Sequence, residues 1–166
     1  MDKPTFMYVI YINTTAEKVW RALTDGEITR RYWSDHRNVS DWNVGSTWRH
    51  EAYDDPATVD IVGNVVESDR PHRLVVTWAD PKEATNATKR SRVTYDIAED
   101  GDMVRLTVTH DDLEPGSGME RGITEGWPVV LSSLKTLLET GEAMPSMWAR
   151  EGGDWKPLRF VGGSPA

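Results

Sequence analysis

Residues Phe6 to Ile12 are apolar or aromatic without a break. Phe6, Tyr8, Ile10 and Ile12 alternate with Met7, Val9 and Tyr11, which predicts a strand apolar on both faces. Asn13 ends it. Thr14 stands three residues before Glu17, a capping-box spacing, and Val19, Trp20 and Leu23 then recur at helical steps. Asp25-Gly26 closes that helix, and Ile28 to Trp33 predicts a second short one. From Ser34 to Gly45, Asp, Asn, Ser and Gly predominate and no period holds.

From Ser46 onward the period is two. Trp48, His50 and Ala52 share one face, with Thr47, Arg49 and Glu51 opposite. A long strand is expected from Thr58 to about Ser68, then a turn at Asp69-Arg70-Pro71. Arg73 to Ala79 places Leu74, Val76 and Trp78 on one side. Asp80 to Thr88 is polar, carries Pro81 and reads as a loop. Val93, Tyr95 and Ile97 alternate with polar residues, Asp100-Gly101 marks a hairpin turn, and Val104, Leu106, Val108 and His110 alternate again. Pro115-Gly116-Ser117-Gly118 interrupts the pattern.

The stretch "EGWPVVLSSLKTLLETG", residues 125 to 141, then has helical spacing. Trp127, Val130, Leu131, Leu134 and Leu138 fall at steps of three and four, Val129 and Leu137 widen the stripe, and Lys135 and Glu139 mark the wet side. The stripe is wider than one packing seam needs. Strands joined by short turns make an antiparallel sheet with one buried face, so the expected fold is α+β. In it a curved antiparallel sheet wraps a long C-terminal helix, with two short helices after the first strand. The expected domain spans 1–141, and 142–166 forms a C-terminal tail. That tail holds Met144, Met147, Trp148, Trp155, Leu158 and Phe160, more apolar mass than a plain linker carries, and docking through Trp148 or Trp155 is its expected role.

Charge and composition then remove whole classes. A net charge of −8, from 27 acidic against 19 basic residues, argues against nucleic acid or an anionic membrane as the main partner. The short cluster Lys89-Arg90-Ser91-Arg92 reads as the solvated start of a strand. With no cysteine there is no disulfide, thiol chemistry or cysteine-held zinc, which suits a cytoplasmic protein. No stretch approaches the roughly 18 apolar residues of a membrane span, so no membrane insertion is expected.

Four blocks carry a resemblance: "TTAEKVWRALTDGEITRRYW", "GNVVESDRPHRLVVTW", "SRVTYDIAEDGDMVRLTVTHDDL" and "GWPVVLSSLKTLLETG". In this order they resemble the bacterial proteins related to the C-terminal domain of the activator of the heat-shock protein 90 ATPase. That family lies in the START-like, birch-pollen-allergen-like SRPBCC superfamily. The likeness runs from about Phe6 to Gly141 and implies a helix-grip fold with a cavity between sheet and helix. Superfamily members bind lipids, hormones or polyketides, and some catalyse cyclisation or dehydration. The resemblance supplies no universal catalytic residue. Its matching pair, Gly126-Trp127, is a structural signature.

Candidate chemistry centres on His50 and His110, which share parity with apolar residues on strands expected to face the helix. An imidazole in a cavity can donate, accept, or act as a general base near neutral pH. The plainer alternative is a satisfied histidine near a strand end. His36 and His72 fall in expected loops and read as surface residues. His110-Asp111-Asp112 is compact, but successive strand residues point to opposite faces, so no metal is expected. Gly116, Gly118 and Gly122 do not spell a dinucleotide fingerprint. A phosphate-binding loop and a serine nucleophile elbow are also missing, so no cofactor is expected.

The expected site is a pocket bounded by Trp127, Leu131 and Leu134 from the helix and by Trp48, His50, Trp78, Tyr95 and His110 from the sheet. It would hold a small hydrophobic or amphipathic molecule, with indoles covering the apolar body and no catalysis required. Two alternatives stay open. One is a co-chaperone-like domain that binds protein through the tail or the outer sheet face. The other is a polyketide-cyclase-like enzyme that uses His50 or His110 with Tyr95.

Overall fold

The computed structural model describes residues 2–145, 148–151 and 154–157, with side chains for 2–145. The chain runs β1 (Phe6–Ile12), α1 (Ala16–Thr24), α2 (Gly26–Tyr32), β2 (His36–Val39), β3 (Thr47–Ala52), β4 (Val59–Asp69) and β5 (Arg73–Trp78). Two 3₁₀ turns, Pro81–Glu83 and Ala87–Lys89, precede β6 (Ser91–Asp100), β7 (Met103–Asp111) and α3 (Gly118–Thr140). β8 (Trp148–Glu151) and β9 (Asp154–Pro157) pair as a separate two-stranded sheet. The side chains of Trp148 and Trp155 lie outside the described residues, as do Met147, Leu158 and Phe160, so tail docking stays an expectation.

The main sheet is antiparallel and seven-stranded, in the order β1-β7-β6-β5-β4-β3-β2. It curls into a half-barrel around α3, the helix-grip arrangement. β1 closes the edge beside β7, from Phe6 opposite His110 to Ile12 opposite Val104. Alternation works as the pattern requires: Ile12, Leu74, Val76, Val93, Tyr95, Ile97, Val104, Leu106 and Val108 all lie in one buried cluster. Met7, Val9 and Tyr11 on the other side of β1 are exposed.

Local signals shift three boundaries. Thr15, not Thr14, caps α1, its hydroxyl accepting from Lys18 N at 3.3 Å. Thr14 is still turning off β1, with its N–H on Ile12 O at 2.9 Å. Asp25 ends α1 and its carboxylate accepts from Glu27 N at 2.9 Å, so α2 starts at Gly26 instead of Ile28. α3 begins at Gly118, well before Glu125. Ser117 caps it by accepting from Glu120 N at 3.1 Å, and Glu120 in turn accepts from Gly116 N at 2.7 Å. Gly141 ends the helix at φ 84°, a left-handed conformation that glycine takes without steric cost.

β2 is the element the polar pattern hid. Its residues His36, Arg37, Asn38 and Val39 pair with Ala52 to Arg49 of β3, and His36 and Asn38 are buried. His36 is therefore no surface histidine. Ser34 and Asp35, at φ 54° and 55°, turn the chain from α2 into this strand. Farther along β3, Trp48 faces Gly63 of β4. A Cβ on Gly63 would fall 1.8 Å from Thr77 O and 2.5 Å from Trp48 Nε1. Without it, the Trp48 indole donates to Thr77 O at 2.8 Å.

Among the described residues, no helix is long and apolar enough to cross a membrane.

Candidate functional site

The core does not fill the space under the whole of α3. Along the second half of the helix, Leu131 and Leu134 are fully buried and Leu137 nearly so, packed on the sheet. Under the first half lies a cavity of about 600 Å³. That size falls within the roughly 300–1,000 Å³ of small-molecule sites. On the helix side Gly118, Gly122 and Gly126, four residues apart, line it together with Ile123, Trp127 and Val130. A helix face built on glycines carries no side chains, and a Cβ placed on Gly118 or Gly122 meets nothing within 4 Å. The opposite wall comes from Trp33 at the end of α2, His36 of β2, His50 of β3, Asp60 and Ile61 of β4, and Trp78 at the end of β5. Asp80 and Glu83, from the first 3₁₀ turn, stand exposed at the rim.

Three indoles from both sides meet at this space. The rings of Trp33, Trp78 and Trp127 lie 5.4 Å (Trp33–Trp127), 5.6 Å (Trp78–Trp127) and 6.0 Å (Trp33–Trp78) apart. Trp78 is buried, yet its indole N–H finds no hydrogen-bond partner among the described residues. An unmet buried donor costs about 1–3 kcal/mol.

The histidines divide into a structural one and two at the wall. Trp127 donates its indole N–H to Nδ1 of His110 at 3.1 Å, so that nitrogen must carry the lone pair. Nε2 then holds the proton and donates to Ser91 Oγ at 2.7 Å, and Ser91 donates to Trp78 O at 3.1 Å. Every polar atom in the chain is used. Burial, only partly opposed by Asp111, lowers the His110 pKa to about 4, which keeps the ring neutral.

At the wall, Asn38 donates its amide to Leu23 O at 3.4 Å, which turns its Oδ1 toward His50. His50 Nδ1–H donates to that oxygen at 2.7 Å, leaving the lone pair on Nε2. Burial, and then the neighbouring His36, push the His50 pKa well below its ordinary value. His36 lies against His50 with ring centroids 4.6 Å apart and 12° between planes. Its Nδ1 faces Ser34 O and its Nε2 faces Asp60 Oδ2, each at 2.7 Å. Both neighbours are hydrogen-bond acceptors.

A sequence model of one family, described as "Activator of Hsp90 ATPase homolog 1-like protein", matches residues 13–139. The chain belongs to this family. Solved structures agree on the fold. The Aha1 dimer from Colwellia psychrerythraea matches with a TM-score of 0.70 at 18% identity, covering 84% of this chain and 99% of that one. An HSP90 activator from Plasmodium falciparum matches at 0.67 and 19%, over 81% of this chain and 95% of that one. CalU16 from Micromonospora echinospora matches at 0.65 and 19%, over 84% and 78%. At these identities the likeness establishes the fold alone. No curated protein sequence matches the chain.

Of the eight residues the sequence proposed for a pocket, His50, Trp78 and Trp127 line the cavity. The other five, Trp48, Tyr95, His110, Leu131 and Leu134, do not. His110 sits behind the indoles in the chain just described. Trp48 packs against Trp78 with tilted rings at 5.3 Å, and Tyr95 meets Trp127 edge-on at 6.0 Å. Leu131 and Leu134 belong to the closed half of the core. Sequence reasoning read His36 as a surface residue and did not single out Asp60 or the glycine face. Gly118-x-x-x-Gly122-x-x-x-Gly126 was a legible signal, since that spacing strips one helix face of side chains.

Proposed function

We propose that this protein binds a small hydrophobic or amphipathic molecule in the cavity beneath the first half of α3, without turnover. The observation that carries the reading is a space of about 600 Å³ lined by Trp33 and Trp78 on one side and by the glycine face of α3 with Trp127 on the other. The indoles cover an apolar body, and His50 on the wall, with Nδ1 engaged by Asn38, offers Nε2 as an acceptor to orient it. Binding without chemistry fits the histidines. His110 has its lone pair and its proton engaged, and His50 is a weak base at neutral pH.

The test uses Gly122→Leu. Leucine is the better helix former by about 0.8–1 kcal/mol, and its side chain projects where Gly122 now lines empty space. A thermal-shift screen of fatty acids, aromatics and polyketides is run on both proteins. A ligand at 100 times its Kd should add about 2.7 kcal/mol to the wild type and nothing to the variant. Equal stabilisation of the two would refute the reading.

A second reading, a protein-binding domain of co-chaperone type, has one observation in its favour. Met7, Val9 and Tyr11 line the outer side of edge strand β1 at 62%, 48% and 45% exposure, an apolar row with no cover among the described residues. Stimulation of an Hsp90 ATPase that is abolished by Val9→Asp and untouched by Gly122→Leu would support it over the first.

A further inference from the structure

Beyond the binding reading, and whether or not a ligand is present, we propose that the C-terminal hairpin, β8 with β9, is a lid lying across the mouth of the cavity. Its register gives it two unlike faces. Trp148 pairs with Pro157 and Arg150 with Trp155, so these four positions share one face. Ala149, Glu151, Asp154 and Lys156 share the other. A two-stranded hairpin alone is at best marginally stable in water. A face that carries two tryptophans therefore needs a surface to cover. The cavity mouth offers one, and the exposed row Met7, Val9 and Tyr11 on β1 offers another.

The path of the chain favours the mouth. Lys135 and Glu139 mark the side of α3 that faces β1: Lys135 Nζ donates to Tyr11 O and Glu139 accepts from Asn13 N, each at 2.7 Å. Gly141, two residues further, lies about 200° around the helix. Its carbonyl accepts from Arg31 of α2 at 2.9 Å. α2 ends at Trp33 and Ser34, and both line the cavity. Ala143 then packs on the core cluster and Met144 is half-buried, so the tail sets out on the α2 side of α3, away from β1. Three residues, roughly 10 Å of extended chain, carry it from Pro145 to Trp148.

Charge agrees with the path. Lys89, at the mouth, is shared between Glu114 and Glu83. Asp80 is exposed there, and its carboxylate accepts from Lys82 N at 2.8 Å, with no cation on it among the described residues. Arg150 on the aromatic face complements it. On β1 the same arginine would meet Arg105, which stands directly opposite Tyr11 on β7.

The test needs no ligand. The chain has no cysteine, so Lys156→Cys, on the polar face of the hairpin, takes a single nitroxide label in the full-length protein. Amide NMR signals are compared with the label oxidised and reduced. Ser34, Asp80 and Gly118 at the mouth should lose intensity, while Met7, Val9 and Tyr11 keep theirs. In a labelled chain that also carries Trp148→Ala and Trp155→Ala, the mouth amides should stay sharp. Broadening along β1 with the mouth untouched places the hairpin there and overturns the proposal. A label that broadens neither surface overturns it too, as does mouth broadening that survives the loss of both tryptophans. None of these failures touches the ligand screen with Gly122→Leu, which decides the binding reading separately.

Discussion

Replacing His110 by leucine should make stability less dependent on pH, and the structure sets the size of the effect. The folded ring has a pKa of about 4, against about 6.5 for an unfolded histidine. A depressed histidine is neutral in the fold, so the unfolded chain takes up its proton first as pH falls. Its stabilising contribution is whole above about pH 6.5, declines through the interval between the two pKa values, and levels off below about 4. Between pH 7.5 and 4.5 the loss from this one residue is about 2.5 kcal/mol.

His110→Leu removes that proton uptake but leaves the Trp127 N–H buried without an acceptor, at about 1–3 kcal/mol. The variant should thus be the weaker protein at pH 7.5 and close to equal at pH 4.5. His50 and the depressed carboxylates titrate in both proteins and cancel in the difference. Urea unfolding followed by far-UV circular dichroism at four pH values measures the gap. A gap that stays constant with pH would refute the hydrogen-bond chain, as would a His110 ring resonance that titrates near pH 6.5 in the folded protein.

Two further substitutions probe the packing that frames the cavity. Leu134→Ala, in the closed half of α3, should lower the unfolding free energy by about 2–5 kcal/mol; a loss below about 1 kcal/mol by denaturant titration would mean that half is not close-packed. Gly63→Ala should cost about 3 kcal/mol, because its methyl would collide with Thr77 O and push Trp48 off its hydrogen bond. Its check is the Trp48 indole proton, whose NMR shift should move in the variant if the contact is as close as described.

Strand order and the buried face were legible because alternation reports burial wherever the buried residues are apolar. Leu74, Val76 and Trp78 announce their side of β5 in this way. β2 was illegible for the opposite reason. His36 and Asn38 are inside because Ser34 O, Asp60 and His50 satisfy them, and those partners come from three different segments. No period along one segment encodes a hydrogen bond to another. The pocket wall failed to show for the same cause, since Trp33 ends α2 just before the left-handed turn at Ser34 and Asp35, and Asp60 is the extra residue where the pairing of β3 with β4 shifts register. Histidine parity did place His50 and His110 on the inner face. It could not show that one borders space and the other is enclosed by Trp127 and Ser91.

The width of the α3 stripe, which suggested something large beneath the helix, has its explanation in the solid half of the structure. Leu131, Leu134 and Leu137 spread around the helix because β1 of the sheet and the short helices α1 and α2 all pack against it. The cavity belongs to the first half, where glycine, not hydrophobicity, is the instructive residue. Gly118, Gly122 and Gly126 lower helix propensity by roughly 1 kcal/mol each relative to alanine, a sizeable handicap for a helix that could have carried leucines. What they yield is a face bare of side chains opposite Trp33 and Trp78, at the point where Pro128 stands inside the helix and Trp127 reaches down to His110. A helix built only to pack would have no reason to bear that cost at three positions on one face. The distribution of side chains along α3 therefore supports one element with two tasks: its second half anchors the fold, and its first half keeps a space open.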